Sequence, residues 1–449
     1  MVEYNFDSII QTRKDFRVMT RINIADGINL NIIQSNKFKT NLLKINFTLP
    51  LCERTAPLAS LLPAVLRRGC NRYPTMLELN RYLEYLYSTG LGGNIAKFGE
   101  NQAITFNASF LRNEFIPDGT DLLSLVCDLM ADYIFHPYLV DGKFCDEYVE
   151  SEKKNLVDRI EAEINNKRAY ADKRLFEIMC EGEPFAINPL GTKQSVEELT
   201  SQALTDFYYG DFANAPVEIF FVGVCDEAEF RKKIHEKFAP YKRSSSEYAK
   251  NTVKETAARL KRVTEEMPVN QGKLSMGFRT GACTAKKNNE PFQVFNEIFG
   301  ASPTSKLFEN VREKLSLCYY CSSRFVATKG IMYISSGVKV GDETAAEEEI
   351  LRQLDSMKNG EFSENDISVA KLSLENNYNS FNDDADRLSS WYLARIISGD
   401  EITTIDKVIE KINRVTKEDI IAISTTVIPD TVYFLKGTNL DSEDGMTEE

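Results

Sequence analysis

The chain has 449 residues, with 67 acidic against 54 basic side chains and a net charge of −13. It is too long for one ordinary core, and its acidity disfavours non-specific nucleic-acid binding, which depends on Lys and Arg neutralising phosphates. An apolar fraction of 43% and a charged fraction of 27% are those of a globular protein, and no apolar run of about 18 residues offers a membrane span.

The opening MVEYNFDSIIQTRKDF lacks an apolar core and reads as mature sequence, not a signal peptide. Alternating stretches at Ile28–Gln34 and Asn41–Leu49 predict neighbouring strands. Helices are predicted at Leu58–Arg68 and Met76–Tyr87, strands at Gly93–Phe98 and Ala103–Leu111 around a Gly99–Asn101 turn, and a helix at Asp121–Phe135. The segment Phe144–Met179 has an amphipathic helical pattern. The run Val217–Val224 has the continuous apolar character of a buried strand.

The second half repeats this order. Strands are expected at Lys273–Arg279, Cys318–Val326 and Ile331–Val338. Helices are expected at Pro291–Ile298, Lys306–Lys314, Ala345–Ser356 and along Glu364–Ile397. The halves end alike: Leu199-Thr200 through Leu204 and VEIFFVG corresponds to Val415-Thr416 through Ile420 and TVYFLKG. The period is about 220 residues, so the chain reads as a duplicated domain and not a short-period solenoid. Domains are expected at 1–240 and 271–437, with 241–270 a polar linker and 438–449 an acidic tail.

The chemistry is sparse. There are two histidines, His136 and His235, so no helix can offer a His pair at i and i+4 to zinc. Neither stands in a motif for a His-based Ser or Cys nucleophile. Nine scattered cysteines suit reduced thiols in a cytoplasmic protein. The one C-x-x-C, Cys318 to Cys321, falls in an expected strand, where the two thiols point to opposite faces and neither a redox nor a metal role is supported. Gly90, Gly92 and Gly93 lack the Gly-Lys-Ser/Thr of a phosphate loop and read as a turn into a strand.

Leu58–Pro74, LASLLPAVLRRGCNRYP, resembles the active-site helix of the insulinase-type zinc peptidases (pitrilysin, insulin-degrading enzyme, mitochondrial processing peptidase). That helix carries His-x-x-Glu-His, then a Gly and often Tyr-Pro. The frame fits at Gly69, Tyr73 and Pro74, but the three chemical positions read Ser60, Pro63 and Ala64. The resemblance covers nearly the whole chain and includes PLGTKQSVEELT. It implies an α+β fold of two homologous domains, each a mostly antiparallel sheet covered by helices. It also implies that Glu152 matches a helix Glu of the family and that Arg159 stands where the third zinc ligand would be. A cation there opposes metal binding. The stretch Ser305–Tyr320, SKLFENVREKLSLCYY, is similar to the family's second-domain signature, whose Arg and Tyr reach the substrate; these are Arg312 and Tyr319 here. A guanidinium forks onto a carbonyl or carboxylate, and a phenol donates to an oxyanion. Read from the residues alone, Arg312 could equally pair with an acidic neighbour on a solvated helix and Tyr319 pack at a strand edge. The long Gly-rich loop of the non-catalytic processing-peptidase subunit is absent; Phe299–Pro303 is a short loop.

The resemblance thus implies a cytoplasmic, zinc-less subunit of a bacterial heterodimeric metallopeptidase, forming half of a peptide-binding chamber. Zinc would be held only by a His-x-x-Glu-His-bearing paralogue, with a peptide or small protein as substrate and neither nucleic acid nor membrane as partner. It is further similar to the zinc-less member of a bacterial pair associated with 5-aminopentanol modification of elongation factor P. The alternatives are a structural subunit, a peptide-binding or chaperone-like homodimer with no part in proteolysis, and independent Cys or Ser catalysis.

Overall fold

The protein is described by a computed structural model covering residues 19–438 apart from 245, 246, 285 and 287. The expected acidic tail lies, but for Thr438, outside the described residues, as does the N-terminal stretch.

The strands used below are β1 Thr20–Ala25, β2 Ile28–Gln34, β3 Thr40–Pro50, β4 Gly90–Phe98, β5 Asn101–Leu111, β6 Val217–Gly223, β7 Lys261–Met267, β8 Gly272–Arg279, β9 Cys318–Val326, β10 Ile331–Val338 and β11 Ile428–Gly437. One sheet runs β1-β2-β6-β3-β5-β4 and the other β9-β10-β8-β11-β7. In the first, β2 lies parallel to β6, while β6-β3, β3-β5 and β5-β4 are antiparallel. In the second, β7 lies parallel to β11, while β11-β8, β8-β10 and β10-β9 are antiparallel. Among the described residues the two strand orders correspond element for element, with β1 added to the first. This is the duplication read from the sequence, in an α+β protein.

The expected linker at 241–270 contains β7, the counterpart of β2. Its sequence KRVTEEM has alternating burial, but the half-buried side mixes Lys261 and Glu265 with Val263 and Met267, so the apolar signal of a strand is weak. Glu265 on that side accepts from Arg174 Nη2 at 2.7 Å and from the Tyr433 hydroxyl at 2.6 Å. Polar pairing substitutes for apolar burial there.

Both long amphipathic segments break. Phe144–Met179 becomes α1 (Asp146–Ala162) and α2 (Lys167–Met179), where Asn166 caps α2 by accepting from the Ala169 N–H at 3.0 Å. Glu364–Ile397 becomes α3 (Glu364–Phe381) and α4 (Ala385–Ser398), where Asp384 accepts from the N–H groups of Asp386 and Arg387. Short polar side chains at helix starts satisfy orphan N–H groups, which makes these breaks stable.

The breaks matter because the compact units are not contiguous. One comprises 1–161, 187–250 and 381–397; the other 162–186, 251–380 and 398–449. Each unit therefore takes one helix from the other sequence half. In the first unit, Lys44 on β3 donates to Asp386 Oδ1 at 2.8 Å and Ser390 Oγ at 2.7 Å, both on α4. In the second, Asp172 on α2 accepts from Ser275 of β8 at 2.8 Å and Ser335 of β10 at 2.7 Å. In both units a polar sheet face is covered by the exchanged helix. Burial pushes the Asp172 carboxyl above its usual range despite the two serine bonds. Gly277 on β8 lets α2 approach closely, since a Cβ there would meet Met179 Sδ at 2.5 Å and displace that side chain.

The opposite, apolar face of the first sheet packs into one core with Leu43, Ile45, Phe47, Ile104 and Phe106 from the strands and Leu61, Leu62, Val126 and Met130 from helices. Burial of such side chains is the main stabilising term.

Candidate functional site

The degenerate zinc positions fall on the helix Ala56–Leu66, as expected. Pro63 is inside that helix and buried, and Ser60 and Ala64 are half-buried. Gly93 of β4 lies against Pro63, with a Cβ-to-Cβ approach of 3.0 Å if Gly93 carried one. Arg68 at the helix end donates to Glu152 Oε1 at 2.5 Å, which places α1 beside this helix. Arg159 is exposed in the last turn of α1, where a cation complements the helix dipole. A hydroxyl, a pyrrolidine ring, a methyl group and an exposed guanidinium do not make a zinc site, which needs His, Cys or carboxylate donors. Among the described residues no group of three or more His, Cys, Asp or Glu could hold a metal ion.

The histidines lie elsewhere. His136 caps its helix, with Nδ1 3.3 Å from Asp132 Oδ1 and Nε2 3.0 Å from the Tyr241 hydroxyl. His235 lies in the last turn of the amphipathic helix Glu227–Phe238.

Arg312 and Tyr319 come together in the second unit. They line one cavity of about 350 Å³ with Glu313, Ser316, Cys318 and Lys339. The local chain path explains this. Residues Leu307–Lys314 form a π-helix, and Glu297–Ala301, expected as the end of a helix to Ile298 and a loop from Phe299, forms another. Such widened turns are rare and often sit at functional sites. The helix ends in two nested bonds, each one residue wider than in a Schellman turn: the Leu317 N–H donates to Val311 O and the Ser316 N–H to Arg312 O, both at 3.1 Å. Ser316 occupies the left-handed position with φ of 53°. That turn feeds the chain directly into β9.

β9 begins with a bulge. Cys318 pairs with Val338, Tyr320 with Gly337 and Cys321 with Ser336, which leaves Tyr319 as the extra residue. Tyr319 is 57% exposed, on the last strand of its sheet. The bulge overturns one expectation: Cys318 and Cys321 do not point to opposite faces. They stand two register places apart, on one side of the strand, and both are buried.

The cavity is cationic on balance. Arg312 stacks over Phe308 at 4.7 Å and its Nε lies 3.5 Å from Glu313 Oε1, a long contact that leaves the guanidinium fork mostly open. Lys339 adds a second positive charge. Tyr320, the residue after Tyr319, is covered by the Arg168 guanidinium at 4.3 Å, and burial raises its phenol above the ordinary value. Sequence reasoning missed the π-helices, the bulge and Lys339. A helical pattern does not distinguish α from π winding, and pairing register is not written in β9 alone.

A family model described as the peptidase M16 inactive domain matches residues 198–374. The "Probable inactive metalloprotease YmfF" of Bacillus subtilis (strain 168) is 34% identical over 412 residues, covering 92% of this chain and 96% of that protein. Among solved structures, a conserved protein from Enterococcus faecalis V583 is similar with a TM-score of 0.86 and 26% identity, over 95% of this chain and 100% of that one. A peptidase M16 inactive domain from Pseudomonas fluorescens shares the fold with a TM-score of 0.77 and 16% identity, over 94% and 98% of the two chains.

Proposed function

The chain belongs to the peptidase M16 family, as an inactive metalloprotease homologue, and on that premise we propose that it is the zinc-less subunit of a two-chain peptidase. In this reading a paralogue with His-x-x-Glu-His holds the zinc, and this chain presents Arg312 and Tyr319 to the bound peptide. The observation that carries the reading is their convergence on one open, cationic cavity of the second unit, together with a helix of the first unit that has neither His nor Glu at its zinc positions. Arg312 supplies a planar pair of donors for a peptide carbonyl or carboxylate. Tyr319 supplies a hydroxyl donor on an exposed bulge. No helix among the described residues is long and apolar enough to cross a membrane, and the reading takes the complex to be cytoplasmic.

The test is affinity purification of the chain from its native lysate, with identification and zinc analysis of what accompanies it. A near-stoichiometric chain bearing His-x-x-Glu-His, with one zinc per pair, is expected. Arg312→Ala in that complex should then lower kcat/KM on a peptide by about 100-fold, the scale of one lost transition-state donor. Unchanged activity would favour a structural subunit, and recovery of this chain alone would favour a peptide-binding protein with no role in proteolysis.

A further inference from the structure

The bulge at the start of β9 turns an ordinary C-x-x-C into a close dithiol. In an unbulged strand, residues three apart face opposite ways. Here Tyr319 is looped out, so Cys318 and Cys321 take the places of residues two apart, opposite Val338 and Ser336. Two strand rises of ~3.3 Å set their Cα atoms roughly 6.6 Å apart. That is the upper end of the ~4.4–6.8 Å spanned by disulfides. The two thiols are free, and each perturbs the other's titration.

The pair is asymmetric. Both thiols are buried, but Cys318 lines the open cavity together with Arg312 and Lys339, and Cys321 does not. The neighbouring Cys321 side chain, with the Ser336 hydroxyl and the Arg312 charge, outweighs burial and holds the Cys318 thiol below its ordinary value. The neighbouring Cys318 and burial push Cys321 up. A thiol at a cavity wall beside cations, with a second thiol on the same side of the strand, is the arrangement of an attacking and a resolving cysteine.

We propose that Cys318 and Cys321 form a peroxide-reactive dithiol that closes to an intrachain disulfide. The Cys318 thiolate attacks the terminal oxygen of a hydroperoxide ROOH. The O–O bond breaks, an S–O bond forms, and the departing alkoxide takes a proton to leave as ROH. The sulfur of Cys321 then attacks the Cys318 sulfenic acid. The S–O bond breaks, hydroxide leaves with the Cys321 proton as water, and an S–S bond forms. Two thiols lose two electrons and the peroxide gains them. Arg312 and Lys339 stand where they stabilise the developing oxyanions. Because Tyr319 is the bulged residue between the two cysteines, closure redraws the rim of the cavity. The proposal rests on this geometry and needs no peptidase partner.

The experiment uses the full, reduced chain with hydrogen peroxide, intact mass analysis and non-reducing peptide mapping. The wild type should lose two hydrogen atoms and yield a Cys318–Cys321 cross-link before other thiols react. Cys321→Ser should stop at a sulfenic acid on Cys318, trapped by dimedone, and Cys318→Ser should give neither product. After peroxide treatment, alkylation at Cys318 should be lost before alkylation at the more exposed Cys52, Cys145 and Cys225, although Cys318 is itself buried. Equal reactivity of these thiols, or a cross-linked wild type joined elsewhere, would overturn the proposal. The mapping and alkylation of the wild type stand without the variants, should either fail to fold.

Discussion

Replacing Glu183 by Gln should unfold the second unit far more easily than its single lost charge suggests. Glu183 is 6% exposed and sits among three cations. Arg279 Nη2 lies 3.1 Å, Lys254 Nζ 3.0 Å and Lys329 Nζ 2.9 Å from its oxygens. Arg279 keeps Asp430 at 2.8 Å and the Met179 carbonyl at 2.8 Å after the change. Lys254 is half exposed, and its share is at most ~1 kcal/mol. Lys329 decides the outcome, because its side chain is fully buried and loses the carboxylate it pairs with, while the Thr252 carbonyl and the Phe185 ring stay in place. Breaking a buried pair in this way costs about 3–5 kcal/mol, and the retained carbonyl bond places the value near the low end. For a unit of ~200 residues, a loss of ~3 kcal/mol lowers Tm by roughly 6–12 °C.

Burial alone would raise the Glu183 pKa, but the Lys329 and Lys254 hydrogen bonds and the Lys329 and Arg279 charges outweigh it and hold the carboxyl below its ordinary value of 4.5. A depressed carboxyl contributes stability above the unfolded pKa and loses it as pH falls through the folded one. The wild-type advantage over Glu183→Gln should therefore be full at neutral pH and shrink below about pH 4.5. Urea titration and thermal scanning at several pH values measure this. A loss under ~1 kcal/mol at neutral pH, or an advantage that persists undiminished in acid, would refute the account. In Lys329→Met the orphaned cation is gone, so Glu183→Gln added to it should cost less than in the wild type.

Other changes give further checks. Ser316→Gly relieves a left-handed non-glycine residue at a helix end and should raise stability by about 0.5–1 kcal/mol in urea, while Ser316→Val should lower it. Asp172 has a raised folded pKa, so its favourable contribution is complete below the unfolded value and is lost as pH rises through the folded one. Asp172→Asn keeps partners for Ser275 and Ser335, and its stability relative to the wild type should climb over that window; a pH-independent difference would contradict this. Tyr319→Phe keeps the ring on the bulge and removes only the donor, so in an active complex it should lower kcat and leave the melting temperature unchanged.

The apolar periodicity at β2, β3, β5, β6, β8 and β10, and the paired endings Leu199–Gly223 and Val415–Gly437, determine the two-fold sheet architecture locally. They work because each strand's alternation is a property of neighbouring residues. The missing His and Glu at Ser60, Pro63 and Ala64 are equally local: a side chain without donor atoms cannot bind zinc in any fold. Asn166 and Asp384 carried capping signals inside two long amphipathic runs, but amphipathic pattern alone does not say which sheet a helix covers. The exchange of α2 and α4 between units is decided by polar matches across hundreds of residues, such as Lys44 with Asp386 and Asp172 with Ser335. β7 was hidden because charged residues interrupt its inward side, where Glu265 finds partners only in Arg174 and in tyrosines such as Tyr433 from distant parts of the chain. The register of β9 against β10 belongs to the pair of strands, so the bulge that exposes Tyr319 and brings Cys318 to Cys321 exists only in the folded sheet.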